Sequence, residues 1–198
     1  MNQHINVKEK IRNARIAIFG LGGIGSNAAV MLTRMGVGYL RLIDFDVVEE
    51  RNLTRQSYYP PQLGQPKTKA LTEQLLTINP NLTIDAHHIR VTADNALPLT
   101  DGVDIICEAF DQPEAKAMLV NSLLTARPET KIVCASGLAG YASSNLIKTS
   151  RKMKNFYVCG DETSEISSEK DLFAPRVQIC AGHQANMILR IILGIEEV

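Results

Sequence analysis

The stretch 15–44, RIAIFGLGGIGSNAAVMLTRMGVGYLRLID, decides the fold of this chain. It opens with a short apolar run rich in strand-forming residues, and glycines follow at positions 20–25. Residues 26–34 then carry apolar side chains at helical spacing, and a second apolar run occupies 39–43. This order predicts a strand, a helix and a parallel strand joined by a right-handed crossover.

The same alternation continues along the chain. The pattern predicts further strands at 82–89, 103–107 and 131–135, and helices at 66–78, 112–126 and about 177–193. We therefore predict an α/β fold: a Rossmann-like, mostly parallel sheet with helices on both faces. Weak alternation at 144–150 predicts an antiparallel edge strand, so the chain should end in an antiparallel extension.

We expect a single domain over residues 1–198. Residues 14–140 would form its nucleotide-binding core, and residues 141–198 would supply strands that face a partner, a loop and the last helix. The segment 161–171, DETSEISSEKD, is acidic, rich in serine and without periodicity, which predicts a mobile loop.

Composition excludes several classes of function. Hydrophobic residues make up 45% of the 198 residues, and the net charge is zero, which gives no general attraction to nucleic acid or to anionic membranes. The polar N-terminus resembles no signal peptide, and no apolar run is long enough to span a bilayer. Four cysteines lack a paired short spacing, and Cys107 and Cys134 lie in apolar runs typical of buried thiols. We therefore expect a reducing, cytoplasmic location.

The glycine loop matches the pattern G-x-G-x-x-G after a strand and before a helix. Its glycines are Gly20, Gly22, Gly23 and Gly25. Such a loop lets a backbone turn approach a phosphate at the start of a helix, and Asp44 could accept hydrogen bonds from a ribose. The pattern alone suits a dehydrogenase that uses NAD equally well, or a glycine turn that serves only packing.

The segment 44–56, DFDVVEERNLTRQ, moves the interpretation towards ATP because it follows a strand at the ligand-binding edge of the predicted sheet. Lys67 lies in the first turn of the next helix, where a cation is unfavourable unless it holds an anion. The alternative is a lysine extended into solvent. Together with Asn52 and Arg55, Lys67 could hold a triphosphate tail, which NAD lacks.

Asp111 follows the fourth predicted strand and so reaches the same edge. A carboxylate beside phosphates is a natural partner for Mg²⁺. Asp111 could equally cap the helix that begins near Gln112 and Pro113. Residues alone leave both possibilities open.

These motifs, taken in order, resemble the ubiquitin-activating superfamily, and most closely the ThiF and MoeB type, which adenylates sulfur-carrier proteins. The matching stretches are GLGGIGS, DFDVVEERNLTRQ, GQPK and INP within residues 14–120, and APRV and GHQAN at 174–186. The resemblance implies ATP and Mg²⁺ as cofactors, with Asp44 at the ribose and Asp111 at the magnesium. It implies a catalytic set of Arg55, Lys67 and Asp111, and a nucleotide site made of the four loop glycines with Asp44, Asp46, Asn52, Arg55, Gln56 and Lys67.

The resemblance also implies a partner: a small ubiquitin-fold sulfur carrier that ends in Gly-Gly, acting in thiamin synthesis, on a homodimeric enzyme. An NAD-dependent oxidoreductase and a non-catalytic scaffold that docks a carrier are the alternatives. Neither nucleic acid nor membrane is expected as a partner.

Three features of the family are missing from the sequence. Longer members carry two C-x-x-C pairs for zinc, whereas only Cys159 resembles one of those ligands, so we predict no structural zinc. Residues before the first strand leave no room for the helix whose arginine reaches a partner subunit, although Arg12 or Arg15 could substitute. Residues 161–173 contain no cysteine, which leaves Cys159 as the nearest candidate for a covalent step. We expect His183 and Gln184 to be structural.

Overall fold

The computed structural model describes residues 6–164 and 171–198, which contain one seven-stranded sheet. The strands are β1 (Arg15–Phe19), β2 (Tyr39–Asp44), β3 (Thr83–His88), β4 (Ile105–Glu108), β5 (Lys131–Ala135), β6 (Lys148–Met153) and β7 (Phe156–Gly160). The helices are α1 (Val7–Asn13), α2 (Gly23–Met35), α3 (Lys67–Ile78), α4 (Ala93–Ala96), α5 (Pro113–Ala126) and α6 (Ala174–Ile192). No helix in this described part is long and apolar enough to cross a membrane.

The strands lie in the order β3-β2-β1-β4-β5-β7-β6, and all neighbours are parallel except β6 and β7. Helices cover both faces, because the central strands are apolar on both sides. In β1, Ile16 and Ile18 pack with α2, α3 and α6, while Ala17 and Phe19 pack against α5 on the other face. The predicted α/β fold with a mostly parallel sheet is therefore confirmed.

Strands β2 and β3 lie on one side of β1, whereas β4 and β5 lie on the other, so the strand order reverses between β1 and β4. The candidate site lies at this switch point. The carboxyl ends of the two strands run into the glycine loop and into residues 109–112, respectively. The two segments touch: a Cβ on Gly20 would stand 2.8 Å from the carbonyl oxygen of Ala109. Ligands of open α/β sheets bind in the crevice at such a point.

The carboxyl-terminal part of the sheet departs from the sequence prediction in two ways. β7 was not predicted; it lies between β5 and β6 and buries Tyr157 completely. The predicted edge strand at 144–150 begins only at Lys148, because residues 144–146 form a single turn of 3₁₀ helix. Its antiparallel pairing is confirmed, with β7 as the partner.

The sequence pattern did not predict a helix before the first strand, but the structure has α1 there. α1 is short, but Asn6 caps it through a hydrogen bond from the Lys8 N–H at 3.0 Å, and Ile11 anchors it in the core. Arg12 is exposed on this helix. Arg15 instead lies over the Tyr39 ring, 3.6 Å from its centroid, and donates to the Gly102 carbonyl, so its guanidinium is engaged within its own chain.

The loop predicted to be mobile at 161–171 is fixed at its beginning. The Asp161 side chain is only 4% exposed and forms an ion pair with Arg176, which also donates to the carbonyls of Ala142 and Ser143. Burial raises the pKa of Asp161, but hydrogen bonds from Ser164 and the Arg176 charge outweigh it and bring the pKa to about 2. The remainder of the prediction falls largely on residues 165–170, which lie outside the described residues.

Candidate nucleotide and metal site

The glycine loop turns tightly because two of its residues leave no space for a side chain. Gly20 has φ +89°, and a Cβ on Gly25 would stand 1.8 Å from the Gly20 carbonyl oxygen. Gly22 is the N-cap of α2, and the first turn of the helix carries no acidic side chain. Free N–H groups and the positive end of the helix dipole therefore face the crevice, which fits the binding of a phosphate.

Asp44 ends β2 beside this loop and holds it in place. Its two carboxylate oxygens accept the N–H groups of Leu21 at 2.6 Å and Asp46 at 2.7 Å. Burial raises the pKa of Asp44, while the nearby Lys67 charge acts in the opposite direction. Each oxygen retains a second lone pair, so the carboxylate can also accept from a ribose hydroxyl.

A polar clamp joins the start of α2 to the segment that carries Arg55. The side-chain amide of Asn27 donates to the carbonyls of Gly23 at 2.7 Å and Arg55 at 3.0 Å. Ser57 donates its hydroxyl to Asn27 and its N–H to Ser26. Sequence reasoning missed the roles of Asn27 and Ser57, because only the folded chain brings the two segments together.

Asn52, which was predicted to contact phosphate, is buried at the end of a 3₁₀ turn. Its side-chain oxygen accepts the N–H of Glu49 at 2.9 Å, and its backbone carbonyl accepts the N–H groups of Arg55 and Gln56. Asn52 therefore shapes the turn that presents Arg55.

Arg55 and Gln56 contain polar atoms that the fold leaves unpaired. The Nε of Arg55 and the Oε1 of Gln56 are buried and have no hydrogen-bond partner among the residues that the structure describes. Both side chains lie beside the glycine loop: Cβ atoms on Gly22 and Gly23 would meet Gln56 Nε2 and Arg55 Cγ, each at 3.8 Å. Buried polar groups are nearly always paired, so a polar ligand over the loop fits these two side chains.

Lys67 is the first residue of α3, and its side chain is only 6% exposed. The alternative of a lysine extended into solvent is therefore wrong. Its ammonium donates to Asp46 Oδ2 at 2.9 Å, and its backbone N–H donates to the Asp46 carbonyl. Asp46 is thus the anion that offsets the unfavourable position of Lys67 at the helix start.

Asp111 lies in the exposed turn between β4 and α5. The N-cap of α5 is Gln112 and no side chain caps this helix, so the capping role considered for Asp111 is not observed. Its carboxylate has no hydrogen bond or ion pair within residues 6–164 and 171–198. A free carboxylate of this kind fits the oxygen ligand that Mg²⁺ prefers.

The cysteines and His183 lie elsewhere and are engaged. All four cysteines are buried. Burial raises the pKa of Cys159 to about 12, so this thiol is a poor nucleophile. His183 Nδ1 is 3.0 Å from the Thr149 hydroxyl, and Gln184 donates to backbone carbonyls of β4 and β5. The described residues hold no cluster of three or more His, Cys, Asp or Glu side chains suited to a metal.

Comparison with known protein families identifies the family of this chain. Residues 3–198 match the profile of the ThiF family, which is nearly the whole chain. The chain belongs to the ThiF family.

Curated relatives include the ubiquitin-like modifier-activating enzyme 5 of Caenorhabditis elegans, which is 36% identical over 155 residues, or 73% of this chain and 36% of that protein. The enzyme of the same name from Dictyostelium discoideum is 39% identical over 132 residues, or 61% of this chain and 35% of that protein. This ThiF-family chain thus spans about a third of the length of these relatives.

Solved structures share the fold at low sequence identity. E. coli tRNA N6-threonylcarbamoyladenosine dehydratase, TcdA, in complex with ATP, superposes with a TM-score of 0.87 at 20% identity, covering 97% of this chain and 90% of that one. E. coli MccB with ATP gives a TM-score of 0.75 at 23% identity, covering 96% of this chain and 59% of MccB. At these identities the likeness concerns the fold.

Proposed function

We propose that this ThiF-family chain transfers AMP from ATP to the C-terminal carboxylate of a small ubiquitin-fold sulfur carrier and releases pyrophosphate. The observation that carries the proposal is the placement of a tight glycine loop at a helix start, unpaired Arg55 and Gln56 atoms, and a free Asp111 carboxylate at one edge of the sheet. Membership in the ThiF family and the names of its relatives support the choice of reaction.

The chemistry needs no nucleophile from the protein. A carboxylate oxygen of the carrier's terminal glycine forms a bond to the α-phosphorus, and the bond from that phosphorus to the bridging oxygen breaks. The electron pair leaves with pyrophosphate, and no proton has to move. Catalysis of such a step consists mainly of positioning and charge neutralisation.

The residues of this chain would divide that work. The glycine loop and Asp44 would hold the phosphates and the ribose, while Arg55 and Lys67 would neutralise the departing pyrophosphate. Lys67 would exchange its partner for a phosphate oxygen, since its ammonium donates to Asp46 Oδ2 at 2.9 Å. Asp111 would hold Mg²⁺, which supplies charge stabilisation to the phosphates when bound.

Thiamin synthesis, a homodimer and the absence of structural zinc belong to this proposal as well. Arg12, exposed on α1, is the residue that would reach the nucleotide of a second subunit. Arg15 is less suited, because its guanidinium is engaged at the opposite edge of the sheet.

ATP–pyrophosphate exchange tests the proposed function. We expect radiolabelled pyrophosphate to enter ATP only when Mg²⁺ and a carrier ending in Gly-Gly are both present. A carrier lacking its last glycine is the matched control and should give no exchange. ATP should also raise the melting temperature more than NAD does; stabilisation by NAD alone would favour an oxidoreductase, and ATP binding without exchange would favour a scaffold.

A further inference from the structure

Glu108, the last residue of β4, is a carboxylate with no solvent exposure. An ionised group in such a place is costly unless it is paired and hydrogen-bonded. Its backbone carbonyl accepts the side-chain amide of Gln184 from α6 at 2.9 Å, which fixes the end of the strand from one face of the sheet.

Three donors satisfy the Glu108 side chain from the other face. Its Oε2 accepts the ammonium of Lys116 and the thiol of Cys134, the latter at 2.7 Å. Burial alone would lower the pKa of Lys116, but the charge of Glu108 raises it, so the lysine remains protonated. Burial and Glu108 raise the pKa of Cys134, which therefore donates as a neutral thiol.

The third donor belongs to the turn that carries Asp111. Oε1 of Glu108 accepts the backbone N–H of Phe110 at 2.8 Å. The Phe110 ring packs edge-on against Phe19, with centroids 6.2 Å apart, at the end of β1. The residue before Asp111 is thus held at its backbone and at its side chain, whereas Asp111 itself is exposed.

We propose that Glu108 is the positioning residue for Asp111. By holding the Phe110 N–H, the buried carboxylate fixes the turn after β4 and aims the Asp111 carboxylate at the metal of the nucleotide. This inference rests on the proposed function, because that function assigns the metal to Asp111. Lys116 holds the Glu108 carboxylate in place through their ion pair.

Stability alone gives a weak reason for this arrangement. A buried ion pair can often be replaced by apolar groups of similar shape with little loss of stability, whereas removal of one partner leaves a buried charge. Lys116 also borders a surface cavity of about 370 Å³ and is 22% exposed, so its charge is partly hydrated. An apolar residue in place of Glu108 would lack an oxygen to accept the Phe110 N–H.

A matched pair of double variants isolates that acceptor. Glu108→Gln with Lys116→Met removes both charges but keeps an oxygen for Phe110. Glu108→Met with Lys116→Met has nearly the same shape and lacks the oxygen. We expect the Mg²⁺ concentration for half-maximal exchange to stay within about twofold of wild type in the first variant and to rise about tenfold in the second, with kcat at saturating Mg²⁺ little changed.

Hydrogen exchange of the Phe110 amide gives a readout without turnover. The amide should be protected in the wild type and in the Gln/Met variant, and should exchange at least about tenfold faster in the Met/Met variant. If the Met/Met variant fails to fold, Glu108→Asp replaces it, because aspartate still pairs with Lys116 but is one methylene too short to reach Phe110. For Glu108→Asp we expect the same rise in Mg²⁺ requirement and the same faster hydrogen exchange of the Phe110 amide.

Equal Mg²⁺ requirements in the matched pair, or equal protection of Phe110, would overturn the proposal. Paramagnetic broadening of the Asp111 amide NMR signal by Mn²⁺ with ATP distinguishes a failure of the positioning role from a failure of the proposed function. Lack of broadening in the wild type overturns the positioning role. Intact broadening without pyrophosphate exchange rejects the adenylation reaction alone.

Discussion

The two sides of the crevice differ in how completely the protein builds them. On the side of β1 and β2, Asp44, Asn52 and Lys67 are buried and each is hydrogen-bonded within the chain. On the side of β4, Asp111 is exposed. The first side is preorganised apart from Arg55 Nε and Gln56 Oε1, which lack partners among the described residues, whereas the second offers a carboxylate that a metal would have to complete.

This difference predicts that variants on the Asp111 side change activity without changing stability. Asp111→Ala should lower carrier-dependent pyrophosphate exchange by about a thousandfold, because metal charge stabilisation is worth several kcal/mol. The melting temperature should not change, since the carboxylate has no partner among the described residues. Glu114→Ala, at an exposed acidic residue in the first turn of α5, is the matched control and should retain activity.

Pyrophosphate exchange near the wild-type rate in Asp111→Ala would show that this residue is not part of the site. An equal loss in Glu114→Ala would point to the general charge of this edge rather than to one ligand.

On the preorganised side, the largest effect should come from Lys67. Lys67→Met should reduce exchange by about a hundredfold, which is typical for loss of one group that neutralises developing charge. Lys69→Met is the control, because Lys69 lies two residues further along α3 with its side chain 66% exposed. Kinetics of both variants at saturating ATP test the assignment, and similar rates would contradict it.

The Asp161–Arg176 pair joins the end of β7 to the first turn of α6 and should matter for stability. Asp161→Asn should lower the free energy of unfolding by about 2 kcal/mol at neutral pH. The pKa of Asp161 falls from 3.8 to about 2 on folding, so this contribution is present above about pH 4 and is lost as the pH falls towards 2.

Urea unfolding of the wild type and of Asp161→Asn at pH 7 and pH 3 would measure this effect. Glu162→Gln is the control, because Glu162 forms a half-exposed pair with Lys152 and should contribute little. A difference between wild type and Asp161→Asn that is the same at both pH values would contradict the assignment.

The smallest effect is expected at Cys159. Cys159→Ser should leave exchange within about twofold of wild type, since a buried thiol with a pKa of about 12 is not available as a nucleophile. Mass spectrometry during turnover should detect no adduct between the carrier and this residue. A reducible adduct at Cys159 would show that this thiol becomes accessible during the reaction.

Local patterns in the sequence predicted the framework well. The apolar run at 15–19, the glycine loop and the second strand depend on neighbouring residues, and the structure has them in the predicted places. β7 and α1 were missed because each is short and gains most of its stability from packing against distant parts of the chain.

The candidate site was predictable in its residues but not in their pairing. Lys67 was singled out for its place at a helix start, yet its partner Asp46 lies 21 positions away and meets it only in the fold. Glu108 and Asn27 gave no signal at all, because a lone polar residue in an apolar stretch shows neither its burial nor its partners. The roles of the site residues remain predictions until the variants above are measured.

The strand order has a consequence for synthesis on the ribosome. β6 and β7 form a local hairpin, which can form within about 10 μs. However, β7 also pairs with β5, which is synthesised about 25 residues earlier. Until residues 156–160 have emerged, β5 presents an open parallel edge with the apolar side chains of Ile132 and Val133 beside it. An open edge of this kind recruits other chains. We therefore expect nascent chains stalled before residues 156–160 have emerged to aggregate, and those that expose the hairpin to escape this aggregation.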